Sequence, residues 1–334
     1  MCKIGSVVVV GGVRRSALIS LSDLQDQEMA LAKSGEWWNN EGQRALANNS
    51  VCYKEKPPIG IFMKEWLTLY NSKSGERGIY NRQSAVEKSL ENGRRNADYD
   101  FGTNPCSEII LRPYQFCNLT EVVVRADDKI VDLERKIELA TILGTIQSTL
   151  TDLKYLRKIW KDNTEEERLL GVSLTGIMDN ELLNTASAGY LSDLLSQLKQ
   201  VAVDTNLGLS EQLGIPQSTA ITCVKPSGTV SQLVDSASGI HARHSEYYIR
   251  TVRGDKKDPL TQFMQSAGVP VEDDIMQPDS TVVFSFPVKS PKKAVTRNDT
   301  GALEQLNLWL KYQKNWCEHK PSVTITVKED EWLD

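Results

Sequence analysis

The order of apolar runs, capping residues and turns predicts an α/β fold, and three observations carry that reading. Short apolar segments with the length of buried strands recur at residues 7–10, 171–177, 222–224, 281–286 and 323–327. Longer stretches with apolar residues three and four apart stand among them, as helices require. Composition is that of a globular domain, with 40% hydrophobic and 25% charged residues. Strand patterns exchanged with helix patterns favour helices layered on a sheet, here in one major body over residues 1–334.

The elements follow in order. The valine run at 7–10 is entered from Ile4-Gly5-Ser6 and broken by Gly11-Gly12. It reads as a strand and turn ending at Arg14 and Arg15. Ser22 is placed to cap a helix over 24–33, with Asp23 favourable in the first turn. Ala47-Asn48-Asn49-Ser50-Val51 suits a polar rim or a turn. Ile59, Ile61, Phe62, Trp66, Leu67 and Tyr70 recur at partly helical spacing, and 71–78 is a polar, glycine-containing connection.

Asp132 opens a strong helix. Its expected buried stripe is Leu133, Ile137, Ala140, Ile142, Leu143, Ile146, Leu150 and Leu153. The strand at 171–177 leads through a loop at Asp179-Asn180 to a helix over about 186–207. Asp258 and Pro259 cap and begin a short helix that ends at Gly268. Asn298 or Asp299 precedes a helix through Leu303, Leu306, Leu310 and Asn315. A strand at 323–327 follows, and 329–334 reads as a helix that begins and stops. The abrupt first and last segments suggest a piece of a larger enzyme, or half of a split one.

Charge and cysteine usage narrow the function. A net charge of -5 argues against a general nucleic-acid-binding surface, while leaving room for a local phosphate site. Lys289 to Lys293 reads as a solvated turn. No apolar stretch is long enough to span a membrane, and no secretion signal is visible. Six cysteines in 334 residues are sparse, which fits a reducing cytoplasm. The spacing of Cys106, Cys117, His241 and His244 carries no zinc signature, so no metal site is expected.

Two motifs concentrate chemistry. Asn104-Pro105-Cys106-Ser107-Glu108 offers an amide, a thiol and a carboxylate at alternate positions, and Cys117 opens Cys-Asn-Leu-Thr-Glu. An extended segment would turn Asn104, Cys106 and Glu108 to one side; a tight loop is the other way to converge them. Pro105 excludes an ordinary helix interior. The second motif is Lys225-Pro226-Ser227-Gly228-Thr229. It combines a cation, hydroxyls and a glycine before a helix start, which suits phosphate, although it is not the longer Walker loop. A plain turn and helix cap is the competing reading.

The ordered set Asn-Pro-Cys-Ser-Glu, Phe-Cys-Asn-Leu-Thr-Glu, Gly171 to Asn180, and Lys225 to Leu233 resembles the large subunit of ribonucleotide reductase. Residues 11–21, 45–51 and 238–253 are similar to that family too. The pattern is closest to the class II, adenosylcobalamin-dependent enzymes, and Phe116 to Arg125 resembles their monomeric ribonucleoside-triphosphate branch.

This resemblance implies part of a ten-stranded α/β barrel with Cys106 on a central finger loop. It implies that Cys106 becomes the substrate-activating thiyl radical, and that Asn104 and Glu108 position the ribose hydroxyls, with Glu108 moving a proton. Cys117 would be one of the two reducing thiols, and Lys225, Pro226, Ser227, Gly228 and Thr229 would hold the nucleotide phosphates. Implied partners are adenosylcobalamin, a ribonucleoside triphosphate, a thioredoxin-like or other dithiol reductant, and complementary reductase segments. In the family, the thiol pairing with Cys117 and the effector elements precede the match, and further barrel and a thiol tail follow it. Cys2 and Cys52 do not occupy the expected partner's place. The alternatives are a ribonucleoside-diphosphate reductase, a noncatalytic nucleotide-binding remnant, and one half of a split enzyme.

Overall fold

Six uncharged residues from Leu170 to Thr175 form a strand that is buried at every position. Continuous burial is the mark of a parallel strand covered on both faces. The computed structural model describes residues 1–334 apart from 8, 11, 12, 15, 186, 188, 333 and 334; the side chains of 6, 9, 10, 13 and 14 are also outside the description. The chain divides into two compact units. One comprises residues 1–52, 57–80 and 245–290, the other residues 53–56, 81–244 and 291–334.

The second unit carries both chemical motifs. The elements that frame the site are β1 (Gly102–Thr103), β2 (Ile110–Leu111), β3 (Asn118–Val123), α1 (Ile130–Gln147), α2 (Lys158–Glu167), β4 (Leu170–Thr175), α3 (Leu191–Leu213), β5 (Thr222–Cys223) and α4 (Ala302–Asn315); the helices Arg82–Leu90 and Val230–Leu233 also belong to this unit. β1 and β2 are an antiparallel hairpin, with Gly102 opposite Leu111 and Thr103 opposite Ile110. β3, β4 and β5 form a parallel sheet with β4 in the middle; Asn118 faces Leu170, and Thr222 faces Val172. Parallel neighbours need long crossovers, which α1, α2 and α3 supply. The core gathers Leu170, Val172 and Leu174 of β4 with Leu133, Leu195 and Trp316, among others.

α1 begins at Ile130, with the Asp132 carboxylate accepting from the Lys129 N–H at 2.9 Å. Its buried face keeps only the first part of the stripe the sequence predicts. Leu133, Ile137, Thr141, Gly144 and Thr145 are buried, while Leu143, Ile146 and Leu150 are exposed. Small and hydrogen-bonding groups win that face because the backbones come close. A Cβ on Gly144 would lie 3.5 Å from Leu170 and Thr120, and Asn206 of α3 donates to Thr145 Oγ1 at 2.9 Å.

α3 ends later than predicted, at Leu213, where Gly214 takes up the left-handed conformation (φ 65) that closes a helix. The expected start at Ala186 falls outside the described residues. α4 forms as predicted, but Gly301 precedes it. Asp299 instead accepts from Thr296 N and Oγ1, and Glu331 accepts from Ala302 N at 2.9 Å. Residues 323–327 form no strand. Pairing in this region stops at the Val224–Pro321 bridge and the Ser322 N–H to Val224 O bond.

In the first unit, Leu18–Ser22 runs parallel to Ala47–Tyr53, whose other neighbour is Gly78–Asn81. The Ala-Asn-Asn-Ser-Val stretch is therefore a strand, not a rim or turn. Ile59–Ser72 is helical, as the apolar spacing predicts. The helix expected over 24–33 shrinks to Gln27–Leu31. Asp26 caps it by accepting from Met29 N, while Ser22 ends the preceding strand. Residues 2–6 form a helical turn rather than a strand entry, and Val9–Val10 pairs with Val13–Arg14. Gly11, Gly12 and Arg15 of that motif lie outside the described residues. Tyr247–Asp255, Thr281–Lys289 and Val271–Asp273 make an antiparallel sheet, beside the predicted helix Pro259–Ser266 capped by Asp258. The architecture is mixed α/β, with small separate sheets among the described residues. No described helix is long and apolar enough to cross a membrane.

Candidate active site

Residues 104–109 form the tip of the β1–β2 hairpin, so the loop reading of this motif replaces the strand reading. The Ser107 N–H donates to Asn104 O at 2.9 Å, and Ser107 has φ 62. The Asn104 side-chain oxygen accepts from Ile109 N at 3.0 Å. Asn104 thus staples its own loop. The turn sends the thiol and the carboxylate apart in depth: Cys106 is exposed, whereas Glu108 has no exposed surface.

Glu108 points one oxygen at Lys225, the first residue of the second motif, and the two form a hydrogen-bonded ion pair. Its other oxygen, Oε2, is buried with no hydrogen-bond partner among the described residues. A buried carboxylate oxygen left unpaired is costly, and such atoms mark places where a donor is meant to arrive. Lys225 follows β5, at the carboxyl end of a parallel strand, where open α/β sheets commonly place ligands. Its N–H donates to Ser173 Oγ at 2.9 Å. Ser227 is buried at φ 54, while Gly228 and Thr229 are exposed. Glu121 of β3 faces the same loop. Burial lifts its carboxyl above the ordinary range, and Ser227, Lys225 and Ser173 draw it back.

Cys117 immediately precedes β3. It keeps some exposed surface, but its sulfur packs over Gly171 of β4: a Cβ there would lie 3.3 Å from Sγ and 2.5 Å from Leu119. Only glycine leaves that room. Burial pushes the Cys117 thiol up to about 12, against the pull of Lys225 and Arg95. The thiolate is the reactive form towards alkylators. The smaller thiolate fraction, offset in part by the greater nucleophilicity of a more basic sulfur, predicts alkylation at pH 8 more than about tenfold slower than for an ordinary thiol. A timed iodoacetamide reaction read by peptide mass spectrometry is expected to label exposed Cys106 first. Equal rates at Cys106 and Cys117 would contradict the buried sulfur.

Three supports of the site were not singled out from sequence. Arg95 donates to Glu167 at 2.9 Å, to Ile110 O at 3.0 Å and to Gln115 at 3.2 Å, tying the hairpin and the approach to Cys117 onto the end of α2. His319 accepts from Ile110 N at 3.3 Å through Nδ1 and bonds Leu170 O at 3.0 Å through Nε2. Burial holds it down to about 3, so it is a neutral brace. Lys320 donates its N–H to Glu108 O at 3.0 Å and accepts from Val224 N at 3.2 Å, which joins the two motifs. The adjacent Glu318-His319-Lys320 run, with charge in an apolar neighbourhood, was the available signal.

Asn180, read as a loop residue, is a buried brace that donates to Arg125 O and Asp128 O. Asp179 is paired with Arg243 at 2.8 Å. Among the described residues, no group of three or more metal-ligating side chains converges.

The arrangement offers one accessible thiol, one buried carboxylate with a free oxygen and one deep thiol, linked by Lys225. No family model matches the chain. The sequence is 28% identical over 365 residues to the adenosylcobalamin-dependent ribonucleoside-triphosphate reductase of Lacticaseibacillus paracasei, covering 98% of this chain and 47% of that protein. The reductase of the same name from Euglena gracilis is 29% identical over 337 residues, covering 97% of this chain and 43% of that protein. The chain therefore spans about half the length of the curated relatives it matches. Among solved structures, a B12-dependent class II ribonucleotide reductase superposes with a TM-score of 0.70 at 24% identity, over 98% of this chain and 48% of that one. The Actinobacillus ureae class Id ribonucleotide reductase alpha subunit gives a TM-score of 0.57 at 16% identity, over 80% and 55%.

Proposed function

We propose that this chain is part of the catalytic body of a class II ribonucleotide reductase, which reduces ribonucleoside triphosphates to 2'-deoxyribonucleoside triphosphates. The observation that carries the reading is the hairpin tip that exposes Cys106 above buried Glu108. It occurs in a chain similar to such reductases over 98% of its length. In this reading β3, β4 and β5 belong to the ten-stranded barrel, and residues 104–109 are its finger loop.

An accessible thiol fits a radical delivered from outside the loop, and the relatives are named adenosylcobalamin-dependent, which supports that cofactor as its source in this reading. When bound, that cofactor supplies the one-electron initiation that removes a hydrogen atom from the Cys106 thiol. The Cys106 sulfur then abstracts the 3' hydrogen of the ribose. Glu108 accepts the 3' hydroxyl proton while a proton from the thiol pair of Cys117 lets the 2' hydroxyl leave as water, and Asn104 fixes the loop that presents Cys106 and Glu108. Cys117 and the second thiol thus supply one hydrogen to that water and one to the 2' carbon as they become a disulfide; Glu108 returns its proton to the 3' oxygen, and Cys106 returns its hydrogen to the 3' carbon. The second thiol is expected in a complementary segment, and a thioredoxin-like or other dithiol reduces the pair again. In this reading the loop from Lys225 to Thr229 holds the substrate phosphates. Holding these groups together lowers the entropic cost of each transfer.

The test is deoxynucleotide formation with adenosylcobalamin and a chemical dithiol, first from the chain alone and then with the remaining reductase segments supplied in trans. Product is expected only on complementation, and from triphosphates. Exclusive use of diphosphates would overturn the substrate assignment. Neither product nor cofactor cleavage in the complemented system would identify a noncatalytic nucleotide-binding protein.

A further inference from the structure

Lysine at the head of a phosphate-type loop is expected to face phosphate, yet the Lys225 ammonium is hydrogen-bonded to Glu108 Oε1. We propose that Lys225 is the resident counter-ion of Glu108 and stays on that carboxylate when a polyphosphate occupies the loop, so that it serves the acid–base half of the site. Three observations bear on this. Glu108 is fully buried, whereas the Lys225 side chain keeps 26% of its surface. No other described side chain donates a hydrogen bond to the carboxylate; Lys320 reaches Glu108 through its main-chain N–H. The Lys225 backbone is pinned on both sides. Its N–H is held by Ser173 Oγ, and its carbonyl is approached so closely by Gly239 that a Cβ there would lie 2.3 Å away.

A buried charge that loses its partner is strongly disfavoured, so the pair resists being pulled apart by an exposed anion. The groups facing Lys225 are Glu108 and Cys106 from the hairpin, Cys117 and Glu121 from the β3 side, and Cys223 of β5; Lys320 adds a second cation near Glu108. Burial works against the charge on Lys225, but Glu108 outweighs it, and the amine lies above the ordinary lysine value.

The test uses the full chain labelled with nitrogen-15 lysine, with the Lys225 ammonium signal identified by its loss in Lys225→Arg. In Glu108→Gln, burial acts with its main opponent gone, and the Lys225 titration midpoint is expected to fall by about 2 units. Saturating inorganic tripolyphosphate is expected to raise the wild-type midpoint by less than half of that change, as an added charge near an ammonium that stays on Glu108. An unchanged midpoint in Glu108→Gln, or a tripolyphosphate shift at least half as large as that of the substitution, overturns the proposal. If Glu108→Gln unfolds, Glu108→Asp withdraws the carboxylate by one methylene and is expected to give a smaller fall in the same direction.

A second arm rests on the reductase reading above. In the complemented enzyme, Lys225→Met is expected to lower kcat about 100-fold with KM changed less than about threefold, and Lys225→Arg to restore most of it. A raised KM at constant kcat would instead make Lys225 a phosphate ligand and overturn the proposal. If the spectroscopic arm holds while the complemented wild-type enzyme makes no deoxynucleotide, the functional reading falls and the ion pair stands.

Discussion

Cys106→Ser is expected to abolish deoxynucleotide formation in the complemented enzyme, lowering turnover by about 10⁴-fold or more, the scale seen when a reacting group is removed from a catalytic unit. A hydroxyl cannot take over sulfur's hydrogen-atom chemistry. The side chain is exposed at the tip of a hairpin loop. Exposed substitutions away from packing change stability by about 0.5 kcal/mol or less. Loss of turnover with an unchanged melting curve therefore separates chemistry from misfolding. The comparison needs two assays, one for product and one for cofactor cleavage. A serine variant that keeps a tenth of wild-type turnover would remove Cys106 from the mechanism.

Arg95→Met carries the largest expected effect on stability. Arg95 and Glu167 have side chains 1% and 3% exposed, and the guanidinium also lies 4.8 Å from the Phe101 ring centre. Removing the cation takes the nearer guanidinium from a buried carboxylate and leaves it the Gln115 amide and Arg112 at 3.8 Å, a loss of up to about 3–5 kcal/mol. Against a total stability of about 5–15 kcal/mol, that is a large fraction. Urea unfolding of the two chains measures it. The double variant Arg95→Met with Glu167→Gln is expected to recover part of the loss, because no uncompensated charge remains. A single-variant loss below about 1 kcal/mol, the range of exposed pairs, would show that the network is not buried in solution.

The parts of this fold legible in sequence were those recorded within one turn or one strand. The apolar repeat of 59–70 and the Asp258-Pro259 start each announce a local geometry, and each appears where it was expected. The inner face of α1 was misread because Thr141, Gly144 and Thr145 bury it by closeness and hydrogen bonding, which hydrophobic periodicity does not record. The cap at Asp26 was missed because Ser22 is an equally good capping residue four positions earlier, and only strand pairing decides between them.

In the site, the motifs named Cys106, Glu108, Cys117 and Lys225, and these four do come within electrostatic reach of one another. Gly228 and Thr229 remain exposed at the edge of that group. What sequence did not show was the pairing. Lys225 and Glu108 are 117 residues apart, and Arg94 and Glu318 are 224 apart. No local pattern encodes such partners; they follow from where the parallel strands and the 318–322 segment come to rest.

One consequence of the hairpin geometry concerns handling the protein in air. Of the six sulfurs, that of Cys106 is exposed, Cys2 and Cys117 are partly covered, and Cys52, Cys223 and Cys317 are buried. For intermolecular oxidation Cys106 is thus the most accessible point of the chain, ahead of partly covered Cys2. A bridge through the most accessible sulfur lets two chains join at their hairpin tips and leaves no second thiol of equal exposure for a third. Oxidised stocks should accumulate a discrete covalent pair on non-reducing gels, not a ladder, and dithiothreitol should return it to the starting band. Each such pair would have both hairpin tips tied up in the bridge, so the share of paired chains is also the share of chains lost to any chemistry that begins at that sulfur.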